Sequence, residues 1–483
     1  MDSSTVNTNS FTLVGSAVSG TVTYDSDTYA ATFTPDTDLD YDHEYTATLS
    51  TAITDEAGNP LAEPYAWSFT TCGVWSPPVN MSNTPGWGWS AQLAAGSSGT
   101  VHVVWADDTL GKPDIYYAAK SSVGSWSSPV NISNTSAWSW EPQLAIDSSD
   151  TLHLVWREDE DDREVYYAMK SRGDSWSTPV NISNNRGTSE QAELCIDSFD
   201  TVHLVWVDCT PGNCEIYYAA KPAGGSWSSP INISNTASGS GAPKVAVDWF
   251  GIVHVVWYEH LSDANDDIYY TAKPTGGSWS APVNISDSPA HNSVSPDIVI
   301  DSSGTVHVVW EEWGKWDIYY VAKPRGGSWT APVNISNSPG TFSDEFYMCL
   351  DGSDTVHVTW EEGPWGNAEL YYASRRAGAS WSSPVNVSRT PAQSWSGPIV
   401  VDGAGVAHVV WADKITGGAD IYYASKPDGA PWSSPVNISM SPQYAYAPRL
   451  AIDNNNSVHV VWLGYIPQKL DSKYCETLTS SGT

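Results

Sequence analysis

The stretch Asp301-Ser302-Ser303-Gly304-Thr305-Val306-His307-Val308-Val309-Trp310, followed by Asp317-Ile318-Tyr319-Tyr320 and by Gly326-Gly327-Ser328-Trp329, decides how this chain is read. Relatives of Val-His-Val-Val-Trp end at Trp105, Trp156, Trp206, Trp257, Trp310, Trp360, Trp411 and Trp462, at spacings of 50 to 53 residues. A second motif, Trp followed by Pro-Val-Asn-Ile-Ser, starts at Trp75, Trp126, Trp176, Trp227, Trp279, Trp329, Trp381 and Trp432. An acid-Ile-Tyr-Tyr motif runs from Asp114-Ile115-Tyr116-Tyr117 to Asp420-Ile421-Tyr422-Tyr423, with a degenerate copy at Ser472-Lys473-Tyr474. Leu144-Ala145-Ile146-Asp147 typifies a fourth motif. Each motif is of strand length, and Gly, Pro, Ser and Asn separate them. One unit therefore predicts four strands, A (Leu-Ala-Ile-Asp), B (Val-His-Val-Val-Trp), C (Ile-Tyr-Tyr) and D (Trp to Ser). A fixed period of this length marks a repeat architecture, and four-stranded units of this size are propeller blades.

The array opens with a D strand, residues 75–82, and ends with A, B and a weak C. Residues 75–82 are expected to complete the last blade. The expected fold is all-β: an eight-bladed β-propeller over 72–476, a tail over 477–483, and a separate domain over 1–71. Closure would bring Cys72 and Cys475 together as a disulfide clasp across a long loop. Cys209 and Cys214 bracket a turn, Thr210-Pro211-Gly212-Asn213, and are expected to form a hairpin disulfide. Cys195 and Cys349 share one strand A position and read as small buried thiols.

Residues 1–71 lack the repeat, alternate as in Tyr45-Thr46-Ala47-Thr48-Leu49, turn at Glu56-Ala57-Gly58-Asn59-Pro60 and close with Trp67-Ser68-Phe69-Thr70-Thr71. This resembles the bacterial Ig-like domains of surface-layer and other exported proteins. The resemblance implies a partial β-sandwich lacking its first strand or strands, with an unpaired edge. The chain opens at Met1 in what reads as mid-domain, so a longer precursor is expected.

Ala-Ile-Asp-Ser-Ser-Gly-Thr-Val-His-Val-Val-Trp, Asp-Ile-Tyr-Tyr and Gly-Gly-Ser-Trp-Ser resemble the sialidase-superfamily repeats of bacteria. Their Asp-box lies between strands C and D, where Lys221-Pro222-Ala223-Gly224-Gly225-Ser226-Trp227 stands here. Gly224 and Trp227 match, but the Asp position holds Ser121, Ser171, Pro222, Pro274, Pro324, Arg376 or Pro427. The resemblance implies the fold. Sialidase activity would also need an arginine cluster, and Arg163, Arg325, Arg375 and Arg376 share no repeat position.

The net charge of −34 disfavours nucleic acid and anionic membranes as partners. No apolar run is long enough to span a membrane. The repeated His102, His153, His203, His254, His307, His357, His408 and His459 sit one per blade, so they cannot converge on one zinc; each is expected to bond within its own blade. Paired acids flank each B–C hairpin and either accept hydrogen bonds there or hold Ca2+. The candidate cation ligands are Glu158, Glu164, Asp263 and Asp267; no other cofactor is expected. Asn80, Asn131, Asn181, Asn232, Asn284, Asn334, Asn386 and Asn437 begin Asn-x-Ser sequons, read as facing outward and open to glycosylation.

Aromatic residues in the D–A and B–C loops form the candidate ligand face: Trp87, Trp89, Trp138, Trp140, Trp313, Trp316, Trp365, Trp395, Tyr444 and Tyr446. Such residues stack on sugar rings, anchor protein contacts or pack over the blade below. The expected function is a non-catalytic extracellular or cell-surface protein that binds a glycan or a surface protein. The alternative is a filament subunit joined to its copies through the Ig-like domain, and the third is a sialidase-like glycosidase.

Overall fold

The computed structural model describes residues 1–15, 18–26, 30–36, 39, 44–70, 74–122, 124–210, 212–262, 265–288, 291–338, 340–364, 366–390, 392–395, 397–414, 418–439, 444–466 and 469–478. The chain divides into two compact units, Met1–Ser76 with Thr477–Thr483, and Pro77–Glu476.

In the first unit, Phe11–Val14, Glu44–Leu49 and Tyr65–Thr70 form one antiparallel sheet, and Gly20–Asp25 pairs with Ala30–Pro35. Phe11 lies 5.8 Å from Phe33 and 5.9 Å from Trp67, ring centroid to centroid, and Tyr45, Ala47 and Ile53 are buried. Thr477 and Leu478 pair with Trp75 and Val74, so these two residues are strand rather than tail.

The second unit is all-β and has a propeller fold of four-stranded antiparallel sheets. One sheet, for example, runs Asn292–Ile300, Val306–Trp313, Asp317–Lys323 and Val333–Asn334, in chain order from inside to outside. The innermost strands pack side by side from Gly88–Ala95 through each later repeat, and Ala445–Ile452 returns against Gly88–Ala95. In the last sheet, Lys473 and Tyr474 pair with Asn80 and Val79. The two ends of the array thus meet in one sheet.

Burial of the repeated aromatics holds the sheets together. The strand B indoles Trp105, Trp156, Trp206, Trp257, Trp310, Trp360, Trp411 and Trp462 are buried among Val, Ile and Ala. Each strand C tyrosine of one described group meets the strand D indole of the next repeat edge-on, as Tyr117 meets Trp176 at 5.2 Å and Tyr270 meets Trp329 at 4.9 Å. Tyr474 meets Trp126 in the same way at 4.8 Å, joining last repeat to first. The strand B histidines bond within their own repeats: His153 Nδ1 lies 2.8 Å from the Tyr167 hydroxyl and Nε2 lies 3.3 Å from Asp147.

Strand D departs from the expectation in length and in face. It is only two residues long in the ladder, as at Val130–Asn131, because the preceding Pro129 has no N–H to give. Its alternation is inverted. Val79, Val130, Val180, Val283 and Val333 face solvent, while the sequon Asn turns inward. Asn80, Asn131, Asn284 and Asn437 donate Nδ2 to Asp471, Asp114, Asp267 and Asp420 at 2.8–2.9 Å. Asn181, Asn232, Asn334 and Asn386 accept the amide three residues on, through Oδ1, at 2.7–2.8 Å. The sequon Ser also bonds inward, with the Ser133 hydroxyl taking the Ile115 amide at 2.9 Å. The repeated Ser is therefore a clamp on strand C, and at Asn80, Asn131, Asn284 and Asn437 the Nδ2 that a glycan would occupy is held by a carboxylate, while at the other four only Oδ1 is engaged.

The Cys209–Cys214 disulfide is present, with Cα atoms 3.9 Å apart. Cys475 keeps a free, buried thiol in place of the expected clasp to Cys72, which lies outside the described residues. Cys195 and Cys349 are free thiols pushed up by burial.

Candidate active site

Register places one residue per repeat at the same level of strand A. Gln92, Gln143, Glu193, Lys244, Asp297, Tyr347 and Arg449 each pair with the third apolar position of strand B or its Thr359 equivalent. Their side chains converge, because residues from non-adjacent repeats interact. Lys244 contacts Glu193 and feels both Asp297 and Tyr347; Arg449 Nη1 reaches the Tyr347 hydroxyl at 3.5 Å. Burial pulls Lys244 down, yet the Glu193 and Asp297 carboxylates hold it above its ordinary value. Burial pushes Asp297 up to about 6 against the pull of Lys244.

The repeat between Tyr347 and Arg449 is different. Its strand A is broken into Ser394–Trp395 and Ile399–Val401. Gly397 sits in the break, where a Cβ would lie 1.9 Å from the Val410 carbonyl oxygen. Pro398 occupies the level at which the neighbouring repeats carry Tyr347 and Arg449, with its carbonyl accepting the Val410 amide. The missing long side chain leaves a cavity of 410 Å³, lined by Glu345, Tyr347, Trp395, Tyr444, Tyr446 and Arg449 and floored by Ala412 and Ala419. Gly397→Ala is expected to lower stability by about 1–3 kcal/mol by forcing this backbone apart. A melting curve checks it, and an unchanged midpoint would mean that the close approach is not maintained.

Behind the cavity stand two further carboxyls. Glu311, 9% exposed, accepts the Glu345 amide on Oε1 and the Trp313 indole on Oε2, both at 3.1 Å. Burial pushes Glu311 up to about 7. Asp344 is pushed up to about 6, by burial and by the Glu345 charge. A carboxyl raised in the fold stabilises it in the protonated form. For Glu311 that contribution is complete below about 4.5, its ordinary value, and is lost as pH rises through about 7. Glu311→Gln, which cannot ionise, is therefore expected to gain stability relative to the parent as pH rises from about 5 to about 8. Parallel melting curves at the two pH values measure this; a constant difference would place the Glu311 titration elsewhere.

The expected aromatic face separates into groups. Trp395, Tyr444 and Tyr446 line the cavity. Trp89 and Trp140 pack on each other at 5.4 Å and onto the core beneath, with exposed Trp138 at 6.3 Å from Trp140. Trp313 and Trp316 form a stacked, partly exposed pair at 6.1 Å, and Trp87 is exposed. Trp365 lies outside the described residues.

The paired hairpin acids are occupied by donors. Glu158 accepts from the Trp156 indole at 2.7 Å, from Ser139 at 3.0 Å and from Thr135; Glu164 accepts from Ser183 and the Asn185 amide; Asp267 accepts from Asn284, Ser286 and Ser288. They join each strand D and D–A loop to the strands beneath, and among the described residues no group of three or more His, Cys, Asp or Glu is arranged to hold a metal ion. Asp263 lies outside the described residues. The arginines named from sequence are dispersed, Arg163 on Glu190, Arg325 over the Phe250 ring, Arg375 on the Tyr320 hydroxyl and Arg376 on Asp428. Sequence reasoning missed Glu311, Asp344, Glu345, Tyr347 and Arg449. For Asp344, Glu345, Tyr347 and Arg449 the available signal was the departure of these strand A positions from the small apolar pattern, together with Gly397-Pro398; Glu311, on strand B, carried no such signal.

Residues 1–71 match the family model described as "Bacterial Ig-like domain". No curated protein sequence matches the chain. Among solved structures, the chain is similar to an ulvan lyase of a new polysaccharide-lyase family, bound to -[GlcA(1-4)Rha3S]-, with 11% identity and a TM-score of 0.50, over 82% of this chain and 95% of that one. It is also similar to a polysaccharide lyase at 9% identity, TM-score 0.45, over 69% and 89%, and to the intramolecular trans-sialidase from Ruminococcus gnavus at 12%, TM-score 0.38, over 70% and 94%. At these identities the likeness is one of fold. The ulvan lyase that shares the fold over 82% of this chain is an enzyme, and the expectation of a non-catalytic binding protein or filament subunit is corrected by that likeness. The Asp-box itself has no counterpart in these findings, so the sialidase-type resemblance stands at the level of the propeller. Among the described residues, no helix is long and apolar enough to cross a membrane.

Proposed function

We propose that the protein is an extracellular, glycan-processing enzyme: a closed eight-bladed propeller, in one chain with an Ig-like module, that cleaves an acidic polysaccharide by β-elimination. The observation that carries this reading is the convergence of one cation, Arg449, one phenol, Tyr347, and one carboxylate, Glu345, in a cavity walled by Trp395, Tyr444 and Tyr446. The eight Val-His-Val-Val-Trp copies and the pairing of Tyr474 with Val79 support the blade count and closure. The Ig-like match over 1–71 supports an exported, surface-associated location.

The chemistry follows from the three groups. The Arg449 guanidinium pairs with the carboxylate of a uronic acid, as its planar fork favours. Withdrawal of charge acidifies the hydrogen on the carbon bearing that carboxylate. The Glu345 carboxylate takes this proton, and the released electron pair forms a carbon–carbon double bond to the neighbouring carbon. The glycosidic C–O bond on that neighbour breaks, and the Tyr347 hydroxyl gives its proton to the departing oxygen. Solvent then returns a proton to Tyr347 and removes one from Glu345. Trp395, Tyr444 and Tyr446 hold adjoining sugar rings by their C–H faces. Hydrolysis by a carboxylate pair is less well served, because Glu345 alone of these carboxylates lines the cavity and both Glu311 oxygens are occupied.

Digestion of a panel of uronate-containing polysaccharides, with mass analysis of the products, tests the reading. Elimination gives unsaturated fragments without added water. Products carrying added water would replace elimination by hydrolysis, and no cleavage of any acidic polymer would overturn the proposal. The charge of −34 makes a further expectation. It repels an acidic polymer, so kcat/KM should rise as salt shortens the Debye length from about 30 Å at ~10 mM to about 8 Å at ~150 mM. A fall over that range would show that local attraction at Arg449 outweighs the global field.

A further inference from the structure

A second cavity, of 280 Å³, lies at the opposite ends of the strands, between the Asp248–Gly251 turn of one repeat and Lys323 and Arg325 of the next. It contains a broken copy of a recurring contact. In three sibling repeats the strand B histidine brings Nε2 to 3.3 Å from the turn aspartate, as in His153–Asp147, His203–Asp197 and His307–Asp301. Here His254 Nε2 and Asp248 Oδ2 stand 3.8 Å apart, and neither has a hydrogen-bond partner. His408 and His459 also hold Nε2 outside hydrogen-bond geometry, but at 3.4 and 3.3 Å from their turn aspartates, whereas the His254–Asp248 pair stands farther apart. Asp248 is 4% exposed and His254 5%, and both line the cavity. Buried polar atoms without partners are costly, so such a pair calls for a bridging group.

The rest of each side chain is fixed. Asp248 Oδ1 accepts the Phe250 and Ile252 amides at 2.9 and 2.8 Å, and His254 Nδ1 lies 2.8 Å from the Tyr270 hydroxyl. The two open atoms therefore keep their positions. A hydroxyl reaching the pair from the cavity would donate to Asp248 Oδ2 and accept from His254 Nε2. On the other wall are two cations, Lys323 and Arg325, the latter stacked at 3.4 Å on the Phe250 ring. At the turn beside the cavity, Trp249 is 71% exposed, one of the most exposed large apolar side chains of the described residues. An exposed indole at the adjoining turn, a carboxylate oxygen and an imidazole nitrogen without hydrogen-bond partners, and a cationic wall are groups suited to an acidic sugar.

We propose that this cavity is a second saccharide-binding site that takes one acidic sugar residue. One hydroxyl of the sugar bridges Asp248 and His254, and its carboxylate or sulfate meets Lys323 and Arg325. The site is separate from the Tyr347 cavity and does not depend on cleavage there. It gives the enzyme a second hold on the same class of polymer.

The test uses the full chain carrying Arg449→Ala, so that the first cavity lacks its cation. Ligand-observed magnetisation-transfer NMR and titration are run with glucuronic acid, glucose 6-sulfate and methyl glucoside. Binding of either acid, with methyl glucoside about tenfold weaker, is expected, and the stronger acid identifies which anionic group is preferred. Asp248→Asn keeps Oδ1 for the turn amides but removes the open acceptor, and should weaken binding about tenfold or more. Lys323→Ala should do the same from the other wall, and covers the case in which the Asp248 variant fails to fold. Full affinity in both variants, or no binding of either acid to the Arg449→Ala protein, would overturn the proposal and leave an ordered water as the bridge.

Discussion

Tyr347→Phe is expected to lower kcat on an acidic polysaccharide by about 10²–10⁴-fold with little change in KM, the range that a positioned proton donor contributes. The substitution removes one oxygen atom. It leaves the ring in place, so the cavity keeps its shape. Arg449→Ala should be at least as damaging, because it removes the charge that pairs with the substrate carboxylate and sits 3.5 Å from the Tyr347 hydroxyl. Its loss should appear in both KM and kcat, since the carboxylate is present in the ground state and gains charge as the proton leaves. Arg449→Lys keeps charge but not the planar fork and is expected to recover only part of the activity. The measurement is initial rate against polymer concentration for the four proteins. If Tyr347→Phe retains the parental kcat, the phenol is not the proton donor, and the cavity binds glycan without cleaving it by this route.

Trp310→Ala is expected to destabilise the propeller by about 3–5 kcal/mol, the cost typical of emptying a large buried aromatic site. Trp310 is fully buried, among Val308, Ile298 and Val321, and stacks on Tyr319 at 5.9 Å. Its indole donates to Glu312 at 3.1 Å, and Glu312 also accepts Ser288 and Ser293 of the incoming loop. The substitution therefore opens a cavity and leaves a buried carboxylate one donor short. Trp310→Phe refills most of the volume but not the hydrogen bond, so the difference between the two variants isolates the polar part. Chemical denaturation with a single probe per unit measures both. A loss below about 1 kcal/mol for Trp310→Ala would mean that the repeat relaxes around the gap.

The repeat, its four strands and the buried indoles were legible because each copy must bury the same face against its neighbours, which writes one period into the chain. That each strand B histidine bonds within its own repeat, and that Cys209 pairs with Cys214 across a short turn, were legible because both are local; the tyrosine partner of the histidine was not. The face of strand D was not. Alternation says that Val130 and Asn131 point opposite ways but not which one points out, and the Asp114 carboxylate across the strand pair decides in favour of Asn inside. The hairpin acids were equally ambiguous, since a carboxylate suits an ion or a set of N–H and O–H donors, and only the folded loops bring Ser139, Thr135 and the Trp156 indole to Glu158.

What the sequence determined by itself was an all-β chain of repeated four-stranded units with an Ig-like stretch before them, since burial of a periodic apolar face is a local property. What only the tertiary structure decided was the site. Tyr347 and Arg449 belong to different repeats and meet only because the strand between them breaks at Gly397 and presents Pro398 where a long side chain would fill the gap. Convergence of side chains from several repeats depends on how those repeats pack together, which the period of a single repeat does not encode.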